Sequence, residues 1–264
     1  MADESAPKVS KLFVHGCAVS VKRAGTGEPL LFLHGARGAY RWLPFMADLA
    51  ERFDVIVPEH PGFGESETPD WLDTIGDLAF FYLDFIRALN LRRVHLVGTS
   101  LGGWIAGELA VRSTRDLATL TLVAPAGIHI KGVAMGDIFL WSTETLTRNL
   151  FADRDLAEAA LAMPVSESEQ DLLLKNALTT AKLAWQPRLH NPHLAKWLHR
   201  IDVPTLILWG DQDKLIPPVY GPAFRDLIPG ARLEVIERCG HVPQLEQRER
   251  FVAAVARFCT EARR

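Results

Sequence analysis

Through the first half of the chain, short apolar runs alternate with longer stretches of helical period. Leu12-Phe13-Val14-His15 and Ala18-Val19-Ser20-Val21 predict two strands joined at Gly16, a hairpin. A turn cluster from Ala24 to Pro29 leads into Leu30-Leu31-Phe32-Leu33, apolar at every position, as a strand covered on both faces is. Trp42 to Arg52 has helical spacing, and Val55-Ile56-Val57 predicts a strand followed by the loop Pro61-Gly62-Phe63-Gly64. Leu78, Phe81, Tyr82, Phe85, Ile86 and Leu89 recur at steps of three and four, which predicts an amphipathic helix. Val94 to Gly98 predicts a strand, Ile105 to Val111 a helix, and Leu120 to Val123 a strand.

Alternation of this kind implies crossover units and a parallel sheet, with the opening hairpin as an antiparallel edge. It stops near His129. From there to Arg200 the pattern is helical, carries apolar residues such as Phe139, Leu150, Leu173 and Trp197, and contains no convincing strand. The strand signal returns at Val203 to Gly210, followed by a helix near 223–228, a strand Leu233 to Ile236 and a final helix from Gln244 to Ala262. The expected fold class is α/β: a mostly parallel eight-stranded sheet with helices on both faces. The expected organisation is one core domain, 1–128 plus 201–264, interrupted after the sixth strand by a helical cap, 129–200.

Composition narrows the functional classes. Of 264 residues, 48% are hydrophobic and 23% charged, which describes a globular chain rather than a disordered one. The net charge of −3 offers nothing to a polyanion, so nucleic acid is not an expected partner. No apolar run reaches the ~18 residues of a membrane span. The first residues, Met1 to Lys8, are acidic and polar and predict no leader peptide, and Arg263-Arg264 predicts a surface end. Cys17, Cys239 and Cys259 are odd in number and fit no zinc or CxxC spacing, so a reducing cytoplasm is the simplest compartment. Oligomeric state is not legible in the sequence.

The strongest chemical signal is Gly98-Thr99-Ser100-Leu101-Gly102, which follows a strand and opens a helix. This is a nucleophile elbow in its required context: a turn so sharp that a Cβ at the flanking glycines would collide with backbone. A serine hydroxyl needs a base, and the base an orienting group. Of nine histidines, His241 is preferred, because it lies in the loop after the last strand, at the carboxyl end where parallel sheets bind ligands. For the acid, Asp211 and Asp213 both follow the strand that ends at Gly210. Asp213 is preferred, because Asp211 sits in the tight turn where aspartate bonds to nearby backbone.

These motifs resemble those of serine hydrolases of the α/β-hydrolase fold, in the branch with a helical cap that holds esterases, lactonases and carbon–carbon hydrolases. The resemblance rests on Leu33-His34-Gly35, Glu59 to Ser66, Gly98 to Gly103, Gly210 to Asp213 and Gly240 to Pro243. It implies a Ser100–His241–Asp213 triad, oxyanion donors at the N–H groups of Ala36 and Leu101, and no metal or organic cofactor. The implied substrate is a small-molecule carboxylic ester. Arg37, Trp141, Trp185 and Val242 are candidate pocket residues; for the tryptophans, packing within the cap is the competing reading. Two alternatives stand. A carbon–carbon hydrolase usually has Asn before the nucleophile and Trp after the histidine, where this chain has Thr99 and Val242, and it uses a cap arginine, for which Arg148, Arg154 and Arg188 are available. A ligand receptor can retain the triad without turnover.

Overall fold

The computed structural model describes residues 6–262. The expectations for the first five residues and for Arg263-Arg264 lie outside the described residues. Eight strands form one sheet: β1 (Lys8–Val14), β2 (Cys17–Ala24), β3 (Pro29–Leu33), β4 (Asp54–Pro58), β5 (Val94–Thr99), β6 (Leu117–Val123), β7 (Thr205–Gly210) and β8 (Arg232–Ile236). Their order is β1-β2-β4-β3-β5-β6-β7-β8. β1 and β2 pair antiparallel, β2 meets β4 antiparallel, and all pairs from β4 to β8 are parallel.

The uniformly apolar strands serve two cores at once, because successive side chains point to opposite faces. On β3, Leu31 and Leu33 join one core while Leu30 and Phe32 join the other. On β7, Ile207 and Trp209 face the first core and Leu206 and Leu208 the second. Helices α2 (Ile75–Ala88), α3 (Leu101–Arg112) and α7 (Tyr220–Leu227) cover the first face. Helices α1 (Pro44–Ala50) and α9 (Arg248–Glu261) cover the second.

Two boundaries differ from the sequence pattern. The helix expected from Trp42 begins at Pro44, since proline is preorganised for the first helical position. The final helix is two: α8 (Pro243–Glu246) and α9, separated at Gln247, whose φ of −125° and ψ of 50° leave the helical region. Between β6 and β7 lie α4 (Thr143–Leu150), α5 (Arg154–Ala162) and α6 (Glu167–Ala184). The rest of that insertion is less helical than its pattern suggests. Residues 129–142 form no helix, and residues 185–200 run through turns to one short 3-10 turn, Leu198–Arg200. Ser166 and Glu169 start α6 with reciprocal side-chain to backbone bonds. No helix among the described residues is long and apolar enough to cross a membrane.

Candidate active site

Because β3 to β8 run parallel, the loops after β3, β4, β5, β7 and β8 open on one edge of the sheet. Ser100 stands at the sharpest of these turns. Its φ of 53° and ψ of −114° place a non-glycine residue in a region that costs roughly 1–3 kcal/mol. Neighbouring backbone imposes that turn: a Cβ on Gly98 would lie 2.3 Å from the Gly102 carbonyl, and one on Gly102 would lie 2.1 Å from the Leu33 carbonyl. The Ser100 N–H donates to Val123 O at 2.9 Å, and its carbonyl accepts from Trp104 and Ala126.

His241 is buried, and its Nδ1 lies 2.7 Å from Asp213 Oδ2. The other oxygen of Asp213 accepts the N–H groups of Leu215 and Ile216, both at 2.9 Å, so the carboxylate cannot rotate away. This arrangement makes Nδ1 the protonated nitrogen and leaves Nε2 as the acceptor. Nε2 is buried with no hydrogen-bond partner among the described residues. Asp211 is engaged elsewhere: its Oδ1 accepts the Cys239 N–H at 3.1 Å and braces the loop that carries His241.

Ser100 and His241 both line a cavity of about 310 Å³. Ala36 and Leu101 line it too, and among the described residues no acceptor takes either N–H. Much of the wall is apolar, including Phe32, Met46, Ile138, Leu146, Leu150 and Phe151. Arg37 and Val242 are at this cavity, but Trp141 and Trp185 are not. Trp141 folds back onto Gly136, where a Cβ would meet its ring at 2.1 Å. Trp185 is half exposed, sits edge-on to Phe139 and carries the Arg188 guanidinium 4.3 Å from its ring centre. Both tryptophans pair with neighbours inside the insertion and do not reach the cavity. The three candidate arginines of the insertion also stay outside it: Arg148 is taken by Glu144 and Glu158, Arg188 by Asp137, and Arg154 starts α5.

A family model described as alpha/beta hydrolase fold matches residues 28–247. The chain belongs to the alpha/beta hydrolase fold family. Among curated proteins it is 28% identical to Lipase 3 of a Moraxella species, over 84% of this chain and 74% of the lipase. It is also 28% identical to 2-hydroxymuconate semialdehyde hydrolase of a Pseudomonas species, over 99% of this chain and 97% of that enzyme. A solved meta-cleavage product hydrolase from Pseudomonas fluorescens superposes with a TM-score of 0.79 over 98% of this chain and 99% of its own, at 22% identity, a likeness of fold alone.

Three features of this hydrolase's site are not legible as motifs. Glu246 accepts three backbone N–H groups: Ala152 at 2.8 Å and Asp153 at 2.6 Å on Oε1, and Gly240 at 2.6 Å on Oε2. With the His241 N–H donating to Leu150 O at 2.8 Å, it docks the histidine loop onto the start of the insertion. Gln244 lines the cavity with a buried Oε1 that has no partner among the described residues. Behind the β3 loop, the His34 and His60 rings stack at 3.6 Å. His34 Nε2 accepts the His60 N–H, leaving Nδ1 to donate to Gly35 O, while His60 Nε2 donates to His34 O and Nδ1 faces the Tyr82 hydroxyl. Each ring is fixed in one neutral tautomer. Burial lowers His34 to about 4, and burial together with the neighbouring His34 lowers His60 well below the usual imidazole range.

Proposed function

We propose that this hydrolase cleaves carboxylic esters of small-to-medium apolar acyl groups through Ser100, His241 and Asp213. The observation that carries the reading is the cavity: an apolar volume of about 310 Å³ that brings the strained Ser100 together with a buried, unpartnered His241 Nε2. Ser100 Oγ attacks the acyl carbon and gives its proton to Nε2. Asp213 holds the imidazole and stabilises the imidazolium. The N–H groups of Ala36 and Leu101 receive the oxyanion, each such donor being worth ~2.7–4 kcal/mol in the transition state. His241 then protonates the leaving alkoxide, and water, activated by the same nitrogen, opens the acyl-enzyme. The scheme draws on no metal or organic cofactor.

The apolar wall favours esters over ring-cleavage dienoates. A carbon leaving group must be ketonised first, which calls for polar groups around an enol and a carboxylate. Thr99 and Val242 stand where that branch carries Asn and Trp, and the insertion's arginines lie away from the cavity. A panel of nitrophenyl esters from acetate to dodecanoate tests the reading, with Ser100→Ala as blank. The kcat/KM should rise over the first added methylenes, each worth ~0.8 kcal/mol of burial, then fall once the cavity is full. A dienoate hydrolysed a hundredfold faster than every ester would transfer the assignment to carbon–carbon cleavage. Saturable binding with no turnover of either class would leave a receptor.

A further inference from the structure

The loop that carries Ala36 has its carbonyls held away from the cavity, and much of the restraint comes from α6, in the insertion. Gly35 O accepts the Gly38 N–H at 3.1 Å and the His34 Nδ1–H at 2.7 Å. Ala36 O accepts the Thr180 hydroxyl at 3.5 Å, and Arg37 O accepts Asn176 Nδ2 at 2.8 Å. Asn176 is 1% exposed, and its Oδ1 accepts the Gly64 N–H at 2.8 Å from the loop after β4. Thr179 of the same helix donates to Gly62 O at 2.7 Å. Gly38, at φ +87°, packs so closely on the amide that a Cβ there would lie 2.3 Å from Asn176 Nδ2. Positions 176, 179 and 180 share one face of a helix by their spacing, and on α6 that face is polar and buried against main chain.

We propose that Asn176 and Thr180 are positioning residues for the oxyanion pocket, so that the insertion is a fixed wall of the catalytic apparatus. With the three carbonyls of the loop engaged, the Ala36 N–H is left turned toward the substrate oxygen. The Gly35 carbonyl of that peptide is held by Gly38 and His34, and α6 fixes the two peptides that follow it, with Asn176 acting on the Arg37 carbonyl from about 140 residues away in sequence. The proposal rests on the serine ester hydrolase reading. It adds that displacing α6 costs transition-state binding rather than substrate binding, because the ground-state carbonyl tolerates a misdirected donor better than a developing oxyanion does.

The test uses Asn176→Ala, Asn176→Asp and Thr180→Val in the full chain. Each is assayed on a short nitrophenyl ester and on its thiono analogue, whose sulfur is a poor acceptor for oxyanion donors. The Asp variant keeps the acceptor for Gly64 and loses the donor to Arg37 O. For both Asn176 variants, kcat on the oxygen ester should fall roughly 10- to 100-fold with KM within about threefold, because a small misplacement of one donor costs this much. The preference for oxygen over sulfur should shrink by a similar factor, a change that a general loosening of the fold would not produce. Thr180→Val should shift both quantities in the same direction by about threefold, the smaller effect expected of its longer bond. Folded Asn176 variants with native kcat, or with the loss confined to KM, would overturn the proposal. If neither Asn176 variant folds, Thr180→Val decides it, and a native oxygen-to-sulfur preference there refutes it. Failure of the underlying reading would look different: the unsubstituted protein would turn over neither ester, or Ser100→Ala would retain turnover.

Discussion

Removing the carboxylate of Glu246 should loosen the histidine loop and the start of the insertion together. Glu246 is 8% exposed, and its two oxygens accept the N–H groups of Ala152, Asp153 and Gly240. Hydrogen bonds to a charged acceptor contribute ~1.5–3 kcal/mol each, though three on one group do not add fully and water can recover part of the loss. Glu246→Ala should therefore destabilise the fold by about 4 kcal/mol, a large share of the ~5–15 kcal/mol that holds a domain together. Glu246→Gln discriminates more finely. Its amide can keep one oxygen on Ala152 and Asp153 only by turning an NH₂ group toward the Gly240 N–H, donor against donor. The expected cost is about 2 kcal/mol, with a further fall in kcat because Gly240 adjoins His241. Urea unfolding monitored by tryptophan fluorescence gives the stability, and ester turnover well below the unfolding midpoint gives the activity. An alanine variant within 1 kcal/mol of the parent, or a glutamine variant unchanged in both measurements, would refute this account of the loop.

Stability should decline as pH falls from 7 to 5. His34 and His60 are held neutral in the fold, at about 4 and well below the ordinary value respectively, whereas the unfolded rings protonate near ~6.5. The unfolded state therefore binds protons first, and each ring costs roughly 2 kcal/mol over that interval. Urea midpoints at the two pH values measure the loss, and His34→Asn should remove about half of it; equal stability at pH 7 and 5 would contradict the assignment. Asp213→Asn should cost roughly three to four orders of magnitude in kcat through loss of the imidazole's orienting carboxylate, while Asp211→Asn should affect mainly thermal stability; kinetics with the reverse ranking would make Asp211 the acid. Gly102→Ala should prevent accumulation of folded protein, because its Cβ would meet the Leu33 carbonyl at 2.1 Å, and a variant with native Tm would disprove that contact. Gln244→Leu should raise stability by about 1 kcal/mol by removing a buried amide oxygen that has no partner, and a lowered Tm would show that the oxygen is satisfied.

The sheet and its elbow were legible in the sequence because their causes are local. β3 is covered on both faces, so it reads as a continuous apolar run, and the turn at Ser100 demands glycine at 98 and 102 whatever the rest of the chain does. Loops after strands also had to share one edge once the strands were parallel, and the sequence places His241 in one of those loops. Between Asp211 and Asp213 the sequence favoured Asp213, because an aspartate directly in the tight turn after Gly210 tends to bond to nearby backbone. Packing aimed one at the His241 ring and the other at the Cys239 N–H. Trp141 and Trp185 suited a pocket by composition, but an aromatic ring satisfies itself against any apolar neighbour, and theirs lie within the insertion. Asn176 and Glu246 carried no signal because their partners are main-chain groups, chemically the same at every residue. Arg37 lies 139 positions from Asn176, and Ala152 lies 94 from Glu246. Side-chain periodicity reports which face is dry; it cannot report which distant peptide a buried amide or carboxylate will meet, and that choice was made only when the insertion packed against the loops after β3, β4 and β8.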